Sequence, residues 1–283
     1  MKTSHQFAIV YDDQCPLCVA YTNLFVKWKW IQPADRISFS EFEKKSWTEN
    51  IDLNRARNEI PIVELQSGNI FYGVEGLTKI LSQRFPVIER ITHLLFIRWF
   101  ITRLYKLISF NRRIVIPAKS CRSKFDCAPD FNLKYRLVFM VLSAIIATVI
   151  TFLFGVSTHQ VLSDSIPQSG FYFLLIAGSG WVLQFLFSFL LREKQFDYLS
   201  HLSAVMLIGV LVLLPSITIN FLTGRIITAT TIITLCISGG IMLWQLVWRV
   251  RLLGISKGWI VAWLINLYGG AIFWISFLQL FKR

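Results

Sequence analysis

The stretch FAIVYDDQCPLCVAYTNLF, residues 7 to 25, places two cysteines two residues apart, directly after a short apolar run and at the head of a helical pattern. Phe7 to Tyr11 are β-branched and aromatic and are followed by the polar Asp12, Asp13 and Gln14, which predicts a short buried strand and a turn. From Pro16 onward the apolar residues Leu17, Tyr21, Leu24, Phe25 and Trp28 recur at helical spacing, with proline in the first turn, where its missing N–H costs little. Cys15 is therefore expected at a helix N-terminus.

An attacking thiol must be a thiolate. Free cysteine has a pKa of about 8.5, and a helix N-terminus or the first position of Cys-X-X-Cys lowers it to roughly 3.5 to 7.5, because the sulfur faces unpaired N–H groups and the positive end of the helix dipole. Cys15 meets both conditions. Cys18 lies one turn along, close enough to attack a mixed disulfide on Cys15. Redox exchange competes here with half of a zinc site and with two unreactive buried thiols. The setting, a strand followed by Cys-Pro-X-Cys opening a helix within β-α-β, favours a thioredoxin-like redox motif.

Outward from this stretch, Gln32 and Pro33 are expected to end the helix, and RISFSEF (36 to 42) alternates like a strand. A charged connection runs to about residue 58. EIPIVELQSGNIFYGVEGLTKILSQRF (59 to 85) then reads as strand, turn at Ser67-Gly68-Asn69, strand and helix. The expected order is β-α-β-α-β-β-α. Ile60-Pro61, opening the third strand, stands where thioredoxin-like folds keep a cis-proline that receives the substrate backbone, with the commoner trans bond as the alternative. These two residues are the candidate substrate-binding positions.

Asp12-X-X-Cys15-X-X-Cys18, after an apolar strand ending in Tyr11, resembles the DCC family of thiol–disulfide oxidoreductases, named for those three residues. NIFYGVEGLTKIL (69 to 81) resembles its strand-Gly-acid-helix element, and LYKLISFNRR (104 to 113) its closing Tyr…Asn-Arg segment. The resemblance covers about residues 6 to 127. It implies a thioredoxin-like fold, Cys15 and Cys18 as the redox pair and Asp12 as a motif residue. It supplies no physiological substrate. Asp13 stands where the family commonly has glycine. Asp12 is a candidate for accepting hydrogen bonds from the turn or relaying protons to Cys18, against the plainer reading of a turn aspartate.

Composition separates the rest. Hydrophobic residues make up 54% of the 283-residue chain and aromatics 15%, too apolar for a soluble globule, and the excess lies after residue 136. Five runs are long enough to cross about 30 Å of hydrocarbon: 137 to 156, 171 to 191, 199 to 222, 226 to 248 and 259 to 281. The expected architecture is an α/β thioredoxin-like domain over residues 1–130, then an all-α transmembrane bundle of about five helices over 131–283. Residues 86 to 116 read as helical, with Arg98, Arg103 and Lys106 among bulky apolar residues. They either pack on the first domain or lie in the lipid interface.

The formal net charge is +13. Basic residues thicken before the first span at Arg112, Arg113, Lys119, Arg122, Lys124, Lys134 and Arg136, which suits an anionic membrane face; no nucleic-acid motif accompanies them. STHQVLSDSIPQSG after the first span has no Lys or Arg, REKQFD has two and RVRLLGISKG has three. Taken alternately, the basic loops share a side with the first domain, which the positive-inside rule makes cytoplasmic at the cell membrane. The N-terminus carries no secretory pattern, so the five cysteines are expected to be redox or metal residues rather than a structural disulfide framework.

Cys121 and Cys127 are candidates for a second thiol pair or for zinc ligands with Cys15 and Cys18, although their five-residue gap exceeds the usual two to four. The histidines at 5, 93, 159 and 201 form no ligand pattern, and surface or interface positions are expected for them. No metal or other cofactor is expected. The expected partners are a disulfide-bearing protein or small thiol, and the bilayer. Only Cys236 lies within the apolar runs, which argues against a transmembrane thiol relay. Asn220, Asn266, Gln184 and Gln245 are candidates for joining helices within the bilayer. The alternative is a transporter or assembly factor whose cysteine domain binds metal or regulates.

Overall fold

Five successive apolar residues, Phe7–Tyr11, form strand β1, and all five are buried. A strand buried on both faces belongs at the centre of a sheet with layers on each side. The computed structural model, which describes residues 7–41, 50–118, 128–158, 169–224 and 228–280, places β1 there. The sheet order is β2-β1-β3-β4, with β2 at Arg36–Ser38, β3 at Pro61–Glu64 and β4 at Ile70–Tyr72. β1 runs parallel to β2 and antiparallel to β3, which forms a hairpin with β4.

The period of two along β1 divides the core. Phe7, Ile9 and Tyr11 join Phe25 of helix α1 (Pro16–Lys27) and Ile80 of helix α3 (Val74–Arg84) on one face. Val10 joins Ile37, Phe39 and Val63 on the other, with Ala56 of the short helix α2 (Leu53–Ala56). The expected order of strands and helices is present. β2 is shorter than the alternation over 36 to 42 suggested, and α1 stops at Lys27 through a left-handed Lys29 (φ 59°) rather than running to Pro33.

Gly76 is the contact between α3 and the sheet. A Cβ there would stand 2.7 Å from Cδ1 and 2.9 Å from Cβ of Ile62, at the centre of β3. Gly76→Ala is expected to destabilise the domain by about 1–3 kcal/mol through overpacking, read as a lowered thermal midpoint of the full chain in detergent. An unchanged midpoint would mean that α3 is free to shift.

Residues 86 to 116 are not one helix but two. Helix α4 (Pro86–His93) stops at an extended Leu94 (φ −66°, ψ 117°), and helix α5 (Leu95–Val115) follows. The two expectations for this segment divide along α5. Ser109, Asn111, Arg112 and Ile114 near its end are buried against the α/β domain, whereas Leu95 and Phe96 at its start are 85% and 77% exposed. The buried end grips the entrance to β3. Tyr105 Oη accepts the Ile60 N–H at 2.9 Å, Ser109 Oγ donates to the Asn58 carbonyl, and Arg112 Nη1 donates to the Arg57 carbonyl at 2.9 Å.

The chain divides into two compact units, Met1–Arg136 and Leu137–Arg283. The second is helical. Three helical stretches among its described residues are long and apolar enough to cross a membrane, rather than the expected five: Leu133–Ser157, Gly170–Thr223 and Ala229–Leu253. The reason lies in REKQFD. Its charges suggested a loop between runs 171 to 191 and 199 to 222. Instead Phe189–Lys194 is a 3₁₀ segment, bent at a non-helical Arg192 (φ 48°, ψ −111°), that joins helix Ser169–Ser188 to helix Gln195–Leu211, so that two expected runs fall in one helical stretch. The fifth run coincides with helix Gly258–Leu280, which is not among the three.

Two residues of this unit differ from expectation. Arg249, counted above as a loop charge, lies inside helix Thr228–Leu253 and is 1% exposed. His201, expected at a surface or interface, is buried and its Nδ1 lies 2.9 Å from Arg249 Nη1, while Arg249 Nε donates to Gln245 Oε1 at 3.3 Å. Asn220 donates to Thr231 at 3.3 Å and Gln184 accepts from Tyr198 at 2.7 Å, so both join helices as polar groups do where water is scarce.

Candidate functional site

The turn between β1 and α1 is closed by main-chain and side-chain bonds of Asp12. Its carbonyl accepts the Cys15 N–H at 3.2 Å, and its Oδ1 accepts the Gln14 N–H at 3.0 Å. Cys15 then takes the N-cap position of α1, with extended backbone (φ −94°, ψ 109°) and Pro16 in the first turn. An N-cap side chain normally offers an oxygen to the free N–H groups of the first turn. Here sulfur does so, and Cys15 Sγ accepts the Cys18 N–H at 3.4 Å.

Both thiols are free, and both are buried, Cys15 fully and Cys18 to 7% exposure. Their environments push them apart. The Cys15 thiol is drawn down from its ordinary value to about 6, chiefly by the hydrogen bond from the Cys18 thiol. Burial opposes the fall, the Cys18 N–H and the Arg112 charge assist it, and Asp12 opposes it. Cys18 is pushed up, first because its proton is held by Cys15 and next by burial. One sulfur is thus set up as a thiolate at neutral pH and the other as a thiol, the division of labour that exchange chemistry uses.

Asp12 is 3% exposed, and its carboxylate is not left to the turn alone. Arg112 Nη2 lies 3.3 Å from Asp12 Oδ2, and Arg113 Nη2 lies 3.6 Å from the same oxygen. A buried carboxylate requires such a partner, since an uncompensated charge in the interior costs several kcal/mol, about 3–5 when a partner is removed. α5 therefore brings a positive charge to bear on both sulfurs as well as on Asp12. Below the pair, Thr22 donates to the Cys18 carbonyl at 2.7 Å and accepts from Arg36 Nε at 2.9 Å, which fixes the first turns of α1 against β2.

The sequence positions fall as follows. Asp12, Cys15 and Cys18 come together. Ile60 lines a cavity that also touches Cys18, but both of its main-chain groups are engaged, the N–H with Tyr105 and the carbonyl with the Gly73 N–H at 2.9 Å. The Ile60–Pro61 bond is trans, as are the other described peptide bonds, so the cis alternative does not hold. Cys121 and Cys127 lie outside the described residues. Among the described residues, no group of three or more His, Cys, Asp or Glu side chains is arranged to hold a metal ion.

Arg112 and Tyr105 are the site residues that sequence reasoning missed. Arg112 had been grouped with the basic residues facing an anionic membrane, yet it is 7% exposed and paired with Asp12. The available signal was LYKLISFNRR, which contains both residues and had been matched only as a family feature.

Comparison with known proteins agrees with this geometry. Residues 9–116, less than half of the chain, match the model of one protein family, DCC1-like thiol-disulfide oxidoreductase. No curated protein and no solved structure matches the chain. The matched span opens inside β1, contains Asp12, Cys15 and Cys18, and ends just beyond α5, so it includes the helix that supplies Arg112. Residues 9–116 are a DCC1-like thiol-disulfide oxidoreductase domain, and long apolar helices follow it.

Proposed function

We propose that this chain is a membrane-bound thiol–disulfide oxidoreductase of thioredoxin-like fold whose Cys-Pro-Leu-Cys motif performs the exchange. The observation that carries this reading is the Cys15 sulfur at the N-cap of α1, accepting the Cys18 N–H at 3.4 Å and drawn down to about 6. Cys15 thiolate attacks one sulfur of a substrate disulfide, forming a mixed disulfide and expelling one thiolate. Cys18 gives up its proton and attacks the Cys15 sulfur, releasing the second substrate thiol. Two electrons leave the protein dithiol, one disulfide bond is made and one is broken. Asp12, which lines the same cavity as Cys18, is the proposed acceptor of that proton.

The onset of the apolar runs supports a division at about residue 130, and the Lys and Arg that precede the first span support a cytoplasmic face for the first domain. Buried Arg249 drops out of that count, which leaves Arg251 in the last turn of helix Thr228–Leu253 and Lys257 in the loop after it.

The pH dependence of Cys15 reactivity tests the reading. Because its folded value is lowered, the thiolate fraction rises as pH increases through about 6. Iodoacetamide labelling of Cys15 in the full chain, quantified by peptide mapping, is expected to reach half its plateau near pH 6 and to be flat above about 7.5. Burial slows labelling at every pH without moving the midpoint. A midpoint at the ordinary cysteine value of about 8.5 would overturn the reading and favour an unreactive or metal-binding pair.

A further inference from the structure

Beside the cysteines, residues of β1, α1, α2, α3 and α5 line a half-open cavity of about 300 Å³. Its walls include Leu17, Tyr21, Phe25, Leu77 and Ile108, and Cys18 lines it together with Asp12 and Arg112. Cys15, which has no exposed surface, is not among the lining residues, and its sulfur accepts the Cys18 N–H at 3.4 Å. Of the polar side chains at the cavity, Arg112 and Asp12 partner each other, Ser109 Oγ donates to the Asn58 carbonyl and Tyr105 Oη accepts the Ile60 N–H. What the cavity offers an incoming molecule is chiefly apolar surface next to a sulfur.

We infer that the substrate's sulfur carries a compact apolar substituent, which seats in this cavity while the disulfide meets the cysteine pair. This rests on the exchange reading above and names its substrate class. Glutathione is a poor fit. Its carboxylates and ammonium group would be pressed against leucine, isoleucine and phenylalanine, and burying a charge without a partner is costly. An apolar aromatic disulfide, or a peptide cystine flanked by hydrophobic side chains, loses little on entry and gains contact area. Those two sources share one recognition chemistry, and the test separates them.

The experiment uses the reduced full chain in detergent and measures single-turnover oxidation by three substrates: di(2-pyridyl) disulfide, the symmetrical disulfide of a short apolar peptide, and glutathione disulfide. Each rate is divided by that of dithiothreitol with the same substrate in the same detergent, which removes intrinsic reactivity. At least one apolar substrate is expected to exceed glutathione disulfide by roughly tenfold to a hundredfold, the range a hydrophobic pocket achieves by filling with an extra group or two. The faster of the two identifies the source.

Ile108 is 44% exposed on α5 at the cavity. Ile108→Trp, which fills space, is expected to reduce that preference at least fivefold while leaving the midpoint potential of the Cys15–Cys18 couple unmoved, and Ile108→Glu, which adds a carboxylate, to reduce the preference at least as much. A preference near one, with the Cys15–Cys18 disulfide forming normally, overturns the cavity inference alone. A strong preference that neither variant changes does so too, because it then arises from partitioning into detergent. Failure of Cys15 and Cys18 to form a disulfide with any substrate overturns the exchange reading itself.

Discussion

Cys15→Ser in the full chain is expected to reduce disulfide exchange to the uncatalysed background, whereas Cys18→Ser leaves the first step and stops the second. The two variants fail in different ways because the two sulfurs differ in kind. Cys15 accepts hydrogen bonds from both the N–H and the thiol of Cys18 and is drawn down to about 6; Cys18 is pushed up. In Cys18→Ser the mixed disulfide on Cys15 has no thiol to resolve it. It is expected to accumulate to about one substrate per chain, read as an intact mass increase that dithiothreitol removes. Equal loss without a trapped adduct would place the nucleophile elsewhere. The same geometry sets an order of acidity. Serine keeps a hydroxyl donor toward Cys15 and alanine does not, so the Cys15 midpoint should rise more in Cys18→Ala than in Cys18→Ser.

The second large effect is expected at Arg112. Arg112→Met leaves the buried Asp12 carboxylate with only Arg113, whose Nη2 is 3.6 Å away, and removes the guanidinium bond to the Arg57 carbonyl. A loss of about 3 kcal/mol in stability follows, toward the lower end of what breaking a buried pair costs, because Arg113 remains. The effect on chemistry has a definite sign. Arg112 lowers the Cys15 pKa, so its removal raises it, reduces the thiolate fraction at pH 7, and makes the dithiol more reducing by stabilising its thiolate less.

Asp12→Asn is expected to move the thiols in the opposite direction, since Asp12 raises both cysteines, while also losing stability. The double variant Asp12→Asn/Arg112→Met should recover part of the sum of the single losses, because neither charge is then left buried alone. Strict additivity in that cycle would mean that the two side chains do not act on each other.

The cysteine pair was legible because everything that positions it is local. An apolar pentapeptide, a polar turn and a proline-led helix follow one another directly from Phe7 to Lys27, and period and capping rules apply directly to them. The β-hairpin at Ser67-Gly68-Asn69 was legible for the same reason, with Gly68 supplying φ 74°. Arg112 was not. Its partner lies 100 residues earlier, and on α5 it stands among basic residues that look like a membrane-facing cluster until the helix packs.

The helical region shows the same limit from the other side. REKQFD has the composition of a loop, yet most of it is helical: its first residues close a 3₁₀ segment, its last ones open the next helix, and the chain bends at Arg192, whose backbone (φ 48°, ψ −111°) is not helical. Arg249 and His201 lie 48 positions apart, and only the packing of their helices makes a bonded pair of what composition presents as a loop charge and a stray histidine. The break at Leu94 also escaped the pattern, since apolar and basic residues alternate at helical spacing on both sides of it.

The most direct test of the account is a redox titration of the full chain. The protein is equilibrated in graded thiol–disulfide buffers, quenched in acid, labelled with a mass-tagged alkylator and mapped by peptide. A single reversible two-electron transition is predicted, in which Cys15 and Cys18 lose their labels together and reappear as one disulfide-linked peptide, and which Cys15→Ser abolishes. Cys15 and Cys18 that remain separately alkylatable at every buffer ratio, with no linked peptide, would contradict it.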